Sequence, residues 1–187
     1  MRVFALALIL TLAACQSAAE KHAAETGEIN VTNASADEVA GLIKAASAKN
    51  AAKPGEWKAE LRIEAVEAAS GDNAAQLQMA KSLEKSATEC RTAEQLRPFE
   101  VNKLERAAGG ACTFLRYTAI GGKVAAQIEC KKPNAPVTTI AINGTSSATA
   151  FDVVTENVSG AKGQPGYSRV RLRSTGTRIG ECAAKAG

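Results

Sequence analysis

Histidine occurs once in the 187 residues, at His22, and tryptophan once, at Trp57. Aromatic residues make up 4% of the chain, and no two of its five cysteines have C-x-x-C spacing. A Ser-His-Asp or Cys-His arrangement needs a histidine inside an ordered site, and the polar stretch around His22 reads as a tether. Zinc sites of clustered Cys and His lack their ligands, as does a thioredoxin-like redox pair. The 23 Lys and Arg are scattered among 19 Asp and Glu without the aromatic interleaving of a nucleic-acid surface. No Walker-type phosphate loop is present; Gly109-Gly110 and Gly121-Gly122 are turn glycines by context. No catalytic residue, metal ligand or cofactor is assigned, and the chain is not expected to be an enzyme.

A run of about 20 apolar residues, the length a spanning helix needs, is also missing. The apolar stretch after Arg2 extends from Val3 to Leu10, with Thr11 and Leu12 behind it. That length suits the h-region of a signal peptide. The next residues, Leu12-Ala13-Ala14-Cys15, resemble the bacterial lipobox, which implies removal of Met1–Ala14 and acylation of Cys15. The competing reading is an ordinary secretory signal with a coincidental cysteine. Several acyl chains on one cysteine would hold the protein far better than one chain can. Gln16, rather than Asp, follows the cysteine, which in the enteric sorting rule favours the outer membrane. The expected address is the periplasmic face of the bacterial envelope.

With Cys15 assigned to lipid, Cys90, Cys112, Cys130 and Cys182 remain. An even number in an oxidising compartment suggests two disulfides, with three pairings open. The rest of the chain fits one domain with a real core.

Residues 15–34 are rich in Ala, Glu, Asn and Thr with little periodicity, and read as a flexible tether. Ser35 and Glu38 suggest a capping box. Val39, Leu42, Ile43 and Ala46 follow at helical spacing, so 35–49 is expected as an amphipathic helix. After Pro54-Gly55 the period becomes two. Trp57, Ala59, Leu61, Ile63 and Ala65 alternate with charged residues, the pattern of a half-buried strand whose first inward residue is Trp57. Glu60 and Glu64 alternate with Lys58 and Arg62 as a solvated strand face does.

Ala74–Lys85 favours helix by composition, Ser86–Cys90 a short strand, and Thr92 with Gln95 a second capping box on a helix limited by Pro98. Cys112–Ala119 and Lys123–Lys131 flank Gly121-Gly122 and predict a hairpin. A turn centred near Gly121 sets Cys112 opposite Cys130 and leaves Cys90 for Cys182. Val137–Ile142 and Ser147–Glu156 flank Asn143-Gly144, which predicts another hairpin. Gly160–Gly166 reads as a loop before a last strand from Ser168. The expected fold is mainly β within α+β: an antiparallel curved sheet or partly closed barrel, with an N-terminal helix and two disulfides, its β-rich domain spanning 53–184.

Lys53-Pro54-Gly55-Glu56-Trp57, the Cys90, Thr92 and Gln95 set, and the closing Gly176-Thr177-Arg178-Ile179-Gly180-Glu181-Cys182 together resemble a bacterial envelope family known as domain of unknown function 3617. The resemblance covers roughly Lys53 to Cys182 and rests on the ordered cysteines with the two end motifs. It implies a secreted or lipidated β-rich domain and no established activity. The Ala74–Lys85 segment and the capped helix at 35–49 depart from the family pattern.

Arg169, Arg171 and Arg173 fall on one face of the last strand. Three guanidiniums in a row repel unless anions answer them. They form either an anion or lipid-headgroup surface or, the preferred reading, a row paired with carboxylates on neighbouring strands. Arg178 is expected to tie the closing turn to the sheet. The leading functional expectation is a membrane-tethered module binding an apolar or amphipathic envelope molecule. A structural or interaction lipoprotein with a filled core and the 35–49 helix as its contact surface comes second, and no protein partner is identified.

Overall fold

A computed structural model of the protein describes residues 17–93, 95–96, 105–106 and 110–183. Its helices are α1 (Ala18–Thr26), α2 (Ala36–Asn50) and α3 (Asn73–Lys81). The strands are β1 (Ile29–Ser35), β2 (Gly55–Ala68), β3 (Lys85–Arg91), β4 (Ala111–Ile120), β5 (Lys123–Lys131), β6 (Thr138–Ser146), β7 (Ala150–Ser159) and β8 (Ser168–Gly180). All pairings are antiparallel, in the order β1-β4-β5-β6-β7-β8-β2-β3, and the curved sheet does not close. The β-rich α+β expectation stands.

The expected tether is corrected. Ser17 and Glu20 form a full capping box, each side chain accepting the other's backbone N–H, and α1 follows until Gly27 ends it at φ 79°. The pattern is faint because α1 buries a single residue, Ala23. β1 then pairs with β4 from Ile29↔Ala119 to Ser35↔Thr113, so its order comes from a partner some 80 residues away along the chain. The cap expected at Ser35 is present on one side: its hydroxyl accepts from the Glu38 N–H at 3.2 Å. From that cap α2 buries Val39, Leu42, Ile43 and Ala46.

These helical residues meet Ile29 and Ala34 of β1, Phe114 of β4, Ala126 and Ile128 of β5, and Ile140 of β6 in one core. Phe114 is fully enclosed and meets the Tyr117 ring edge-on at 6.0 Å. At the other side of the sheet Trp57 is fully enclosed, stacks on Phe151 at 6.1 Å and donates its Nε1–H to the Lys53 carbonyl at 3.0 Å. Trp57 is therefore a core residue, as its strand position implied.

The Gly121-Gly122 hairpin forms as expected, with Cys112 opposite Cys130. Both expected disulfides are present, Cys112–Cys130 and Cys90–Cys182. The second hairpin turns well past the expected Asn143-Gly144. Asn143 and Gly144 lie within β6, paired with Val154 and Val153, and the chain reverses at Ser147–Thr149. Ser147 makes that turn: its hydroxyl oxygen accepts from the Ala150 N–H at 3.0 Å and the Thr149 N–H at 3.3 Å. Gly144 is demanded by close approach, because a Cβ there would lie 2.2 Å from the Asp152 carbonyl oxygen. Helix α3 ends at Lys81 and buries none of its residues. Thr92 and Gln95 exchange both capping-box hydrogen bonds, at 2.8 and 3.4 Å; Pro98 lies outside the described residues.

Candidate functional site

Two helices end at the same place. Gly27 closes α1, Asn50 closes α2, and the Asn50 side-chain amide donates to the Gly27 carbonyl. The Gly121-Gly122 turn and the β6–β7 turn reach this end of the sheet, joined by the Ser146 N–H on the Gly122 carbonyl at 2.8 Å. Between them lies a cleft of about 390 Å³. Ile29, Ile43, Ala46, Ala119 and Val124 contribute apolar walls, while Lys49 and Lys123 stand on its border. Its volume falls in the range of small-molecule sites, and its lining is mixed, with Glu28, Ser47, Asn50 and Ser147 among the apolar residues.

Tyr117 is the polar group of interest there. It sits on β4 just past the register shift that follows Phe114, and its ring forms part of the cleft wall. Burial pushes its phenol pKa up to about 12. A phenol hydroxyl can donate to or accept from a ligand's polar group. Sequence reasoning missed Tyr117. Plain alternation from Cys112 and Phe114 would turn Tyr117 outward; the register shift between Phe114 and Arg116 brings it to their side, and no local pattern announces that shift.

The arginine row lies on the opposite face of the sheet from α1 and α2. Ile140 and Ile142 face the helices and stand opposite Asn157 and Thr155, so Glu156 and its partner Arg171 point the other way. Carboxylates answer every member of the row. Arg169 bonds Glu67 at 2.6 Å and Glu156 at 2.7 Å, Arg171 bonds Glu64 at 2.7 Å, and Arg173 grips Asp152 through two nitrogens. Hydrogen bonding by Arg169 holds Glu67 and Glu156 below the usual carboxylate range, and Arg173 does the same for Asp152. Tyr167 adds an O–H donor to Glu67 at 3.2 Å. The headgroup-surface reading is thereby corrected: the row is neutralised by β2 and β7, strands that sequence spacing could not place beside it.

Arg178 ties the closing strand to the β2 entrance, donating from Nε to the Pro54 carbonyl at 2.8 Å and pairing with Glu181. Glu60 pairs with Arg62 at 2.9 Å on the exposed side of β2. His22 is exposed on α1. Among the described residues no group of three His, Cys, Asp or Glu side chains could hold a metal ion, and no helix is long and apolar enough to cross a membrane. Cys15 and the residues before it lie outside the described residues.

Against known families, the model described as "protein of unknown function (DUF3617)" matches residues 52–182. No curated protein matches the chain, and no solved structure does.

Proposed function

Because the chain belongs to the DUF3617 family, whose function is unknown, its role has to come from its own geometry, and we propose a lipid-anchored envelope protein that binds a small amphipathic molecule. Cys15 carries the acyl anchor in this reading, on the periplasmic face of a bacterial membrane, with the outer membrane favoured by Gln16. The cleft below the last turn of α2 is the binding site. The observation that carries this is a cleft whose apolar wall meets a polar set, the desolvated Tyr117 phenol with Glu28, Lys49, Asn50 and Lys123 among its lining. An apolar tail would fill the wall of Ile29, Ile43 and Val124, and a polar head would meet Tyr117 or the lysines at the opening. No reaction is assigned: binding alone accounts for this arrangement.

The anchor and the site have separate tests. Cys15→Ser is expected to release the exported protein from membranes, and unchanged attachment sinks the anchor. For the site, dodecanoate is titrated into the full chain followed by native mass spectrometry. A saturable one-to-one adduct that Ala46→Trp abolishes supports the cleft. Adducts at undefined stoichiometry, equal in both proteins, rule it out.

A second reading is a protein-contact lipoprotein. It is favoured by the end of α3 and the turn after it, where Met79 of the helix and Leu83 of the turn are 73% and 63% exposed, beside a helix with no buried residue. Crosslinking from that end in intact cells checks it, and a variant with both side chains made polar is expected to lose the crosslinked species.

A further inference from the structure

The capping box at Ser17 leaves almost no slack between the folded body and Cys15. Ser17 is the N-cap of α1, and its hydroxyl and the Glu20 carboxylate fix the first turn. Two residues of fully extended chain reach at most about 7 Å. An acyl anchor on Cys15 therefore holds the N-terminus of α1 at the membrane surface. This rests on the anchoring reading above, and we infer from it that one end of the sheet lies directly on the bilayer instead of swinging on a tether.

The fold says which end. α1 spans about 13 Å and runs parallel to α2, so that both helices end at the cleft. The Glu20 carboxylate is 3.2 Å from where a Cβ on Gly41 would stand, while Gly27 meets Asn50. Ser17 thus points toward the start of α2, and Ser35, the cap of α2, pairs with Thr113 near the beginning of β4. Ala111 stands opposite Lys131 at this same end. Three connections emerge here, the β2–β3 segment with α3, the β5–β6 turn at 132–137 and the β7–β8 loop at 160–167, and the last two are neighbours. They touch, with Gly166 within van der Waals range of Pro136, and the Gly160 N–H donates to the Val137 carbonyl.

These connections carry what a bilayer surface would meet. Lys131, Lys132 and Lys162 are exposed, and Val137 is an exposed apolar side chain. Glu129 pairs with Lys131 and Glu67 with Lys162 from within the sheet, so the lysine ends lie outward of the acids. Juxtamembrane lysines are attracted to anionic headgroups. The bilayer is the occupant to which this end is assigned. The cleft, at the Gly121-Gly122 end, then opens away from the membrane, so a ligand would exchange with the aqueous side and not laterally from the lipid.

The test uses the acylated full chain on vesicles of phosphatidylethanolamine and phosphatidylglycerol, with lysine reactivity toward a membrane-impermeant acylating reagent read by peptide mass spectrometry. Lys132 and Lys162 are expected to react several-fold more slowly than in soluble Cys15→Ser protein, with Lys49 and Lys123 unchanged. A flexible Gly-Ser insert between Gln16 and Ser17 is expected to restore the lost reactivity while leaving the protein bound. Acylated, vesicle-bound protein whose Lys132 and Lys162 react as in the soluble form overturns the inference and leaves the anchor standing. An intact mass without acyl chains overturns the anchor, and the inference with it.

Discussion

Tyr117 and Arg169 are where single groups have consequences that can be measured. The Tyr117 phenol ionises near 12 in the folded protein, against an ordinary value of 10.0, because burial penalises the phenolate. A folded pKa raised in this way contributes stability that is intact below the unfolded pKa and lost as pH rises through the folded one. The wild-type protein is therefore expected to lose stability between pH 10 and about 12 in a way that Tyr117→Phe does not. Denaturant midpoints across that window check this, with ultraviolet absorbance following the phenolate. Arg169 has the opposite sign. Its hydrogen bonds depress Glu67 and Glu156, so their contribution is present above the unfolded carboxylate value of 4.5 and fades as pH falls through the lower folded values. Arg169→Ala is expected to cost most near neutral pH, with the gap to wild type closing toward pH 3. Parallel urea curves at several pH values test it; a gap that widens in acid contradicts the account. These carboxylates are half-buried rather than enclosed, so solvent screening keeps the effect modest.

Among the elements, β6 separates what a dipeptide can predict from what a sheet imposes. Asn-Gly favours a two-residue turn because both residues tolerate positive φ, yet here the pair is extended and Ser147 makes the turn with its hydroxyl. The glycine is kept because the neighbouring backbone is too close for a side chain. Gly144→Ala is expected to destabilise the fold by about 1–3 kcal/mol, the usual cost of overpacking. A turn-forming glycine would instead be sensitive through φ alone, as Gly121 is at φ 57° with nothing near its missing Cβ. A thermal melt of Gly144→Ala showing no loss would mean that β6 can shift away from β7. Elements with a strong private signal were legible: the hydrophobic spacing of α2, the alternation of β2, and the Gly121-Gly122 turn that set Cys112 against Cys130. Those without one were not. α1 buries only Ala23, and β1 is ordered by pairing with β4.

Over the whole molecule, the family-matched region and the folded body do not coincide. Residues 52–182 carry seven of the eight strands, while α1, β1 and α2 lie before them. Those three elements cover Phe114, Ile128 and Ile140, each buried to 5% exposure or less. A fragment beginning at Lys53 would expose that apolar surface and leave β4 as an uncovered edge. It is expected to aggregate, or to bind a hydrophobic dye and lose cooperative unfolding, where the chain from Ser17 onward stays monomeric. Size-exclusion chromatography of the two fragments decides. A well-folded monomer from Lys53 would show that the helical layer is dispensable.

Sequence by itself determined the class of fold, the two disulfides, the capped helix α2 and the burial of Trp57. Each of these follows from local periodicity, turn chemistry or the counting of cysteines, all of which act over a few residues or within one hairpin. The lipobox resemblance at Cys15 likewise belongs to a short contiguous motif. Tertiary structure alone decided that the polar stretch after it is helix and edge strand. It also placed Glu64, Glu67, Glu156 and Asp152 beside the arginine row, and it brought α1, α2 and two turns together around Tyr117. The physical reason is common to all three. They depend on which strands become neighbours, and an antiparallel sheet assigns neighbours through long-range pairing and shared burial that no local pattern encodes.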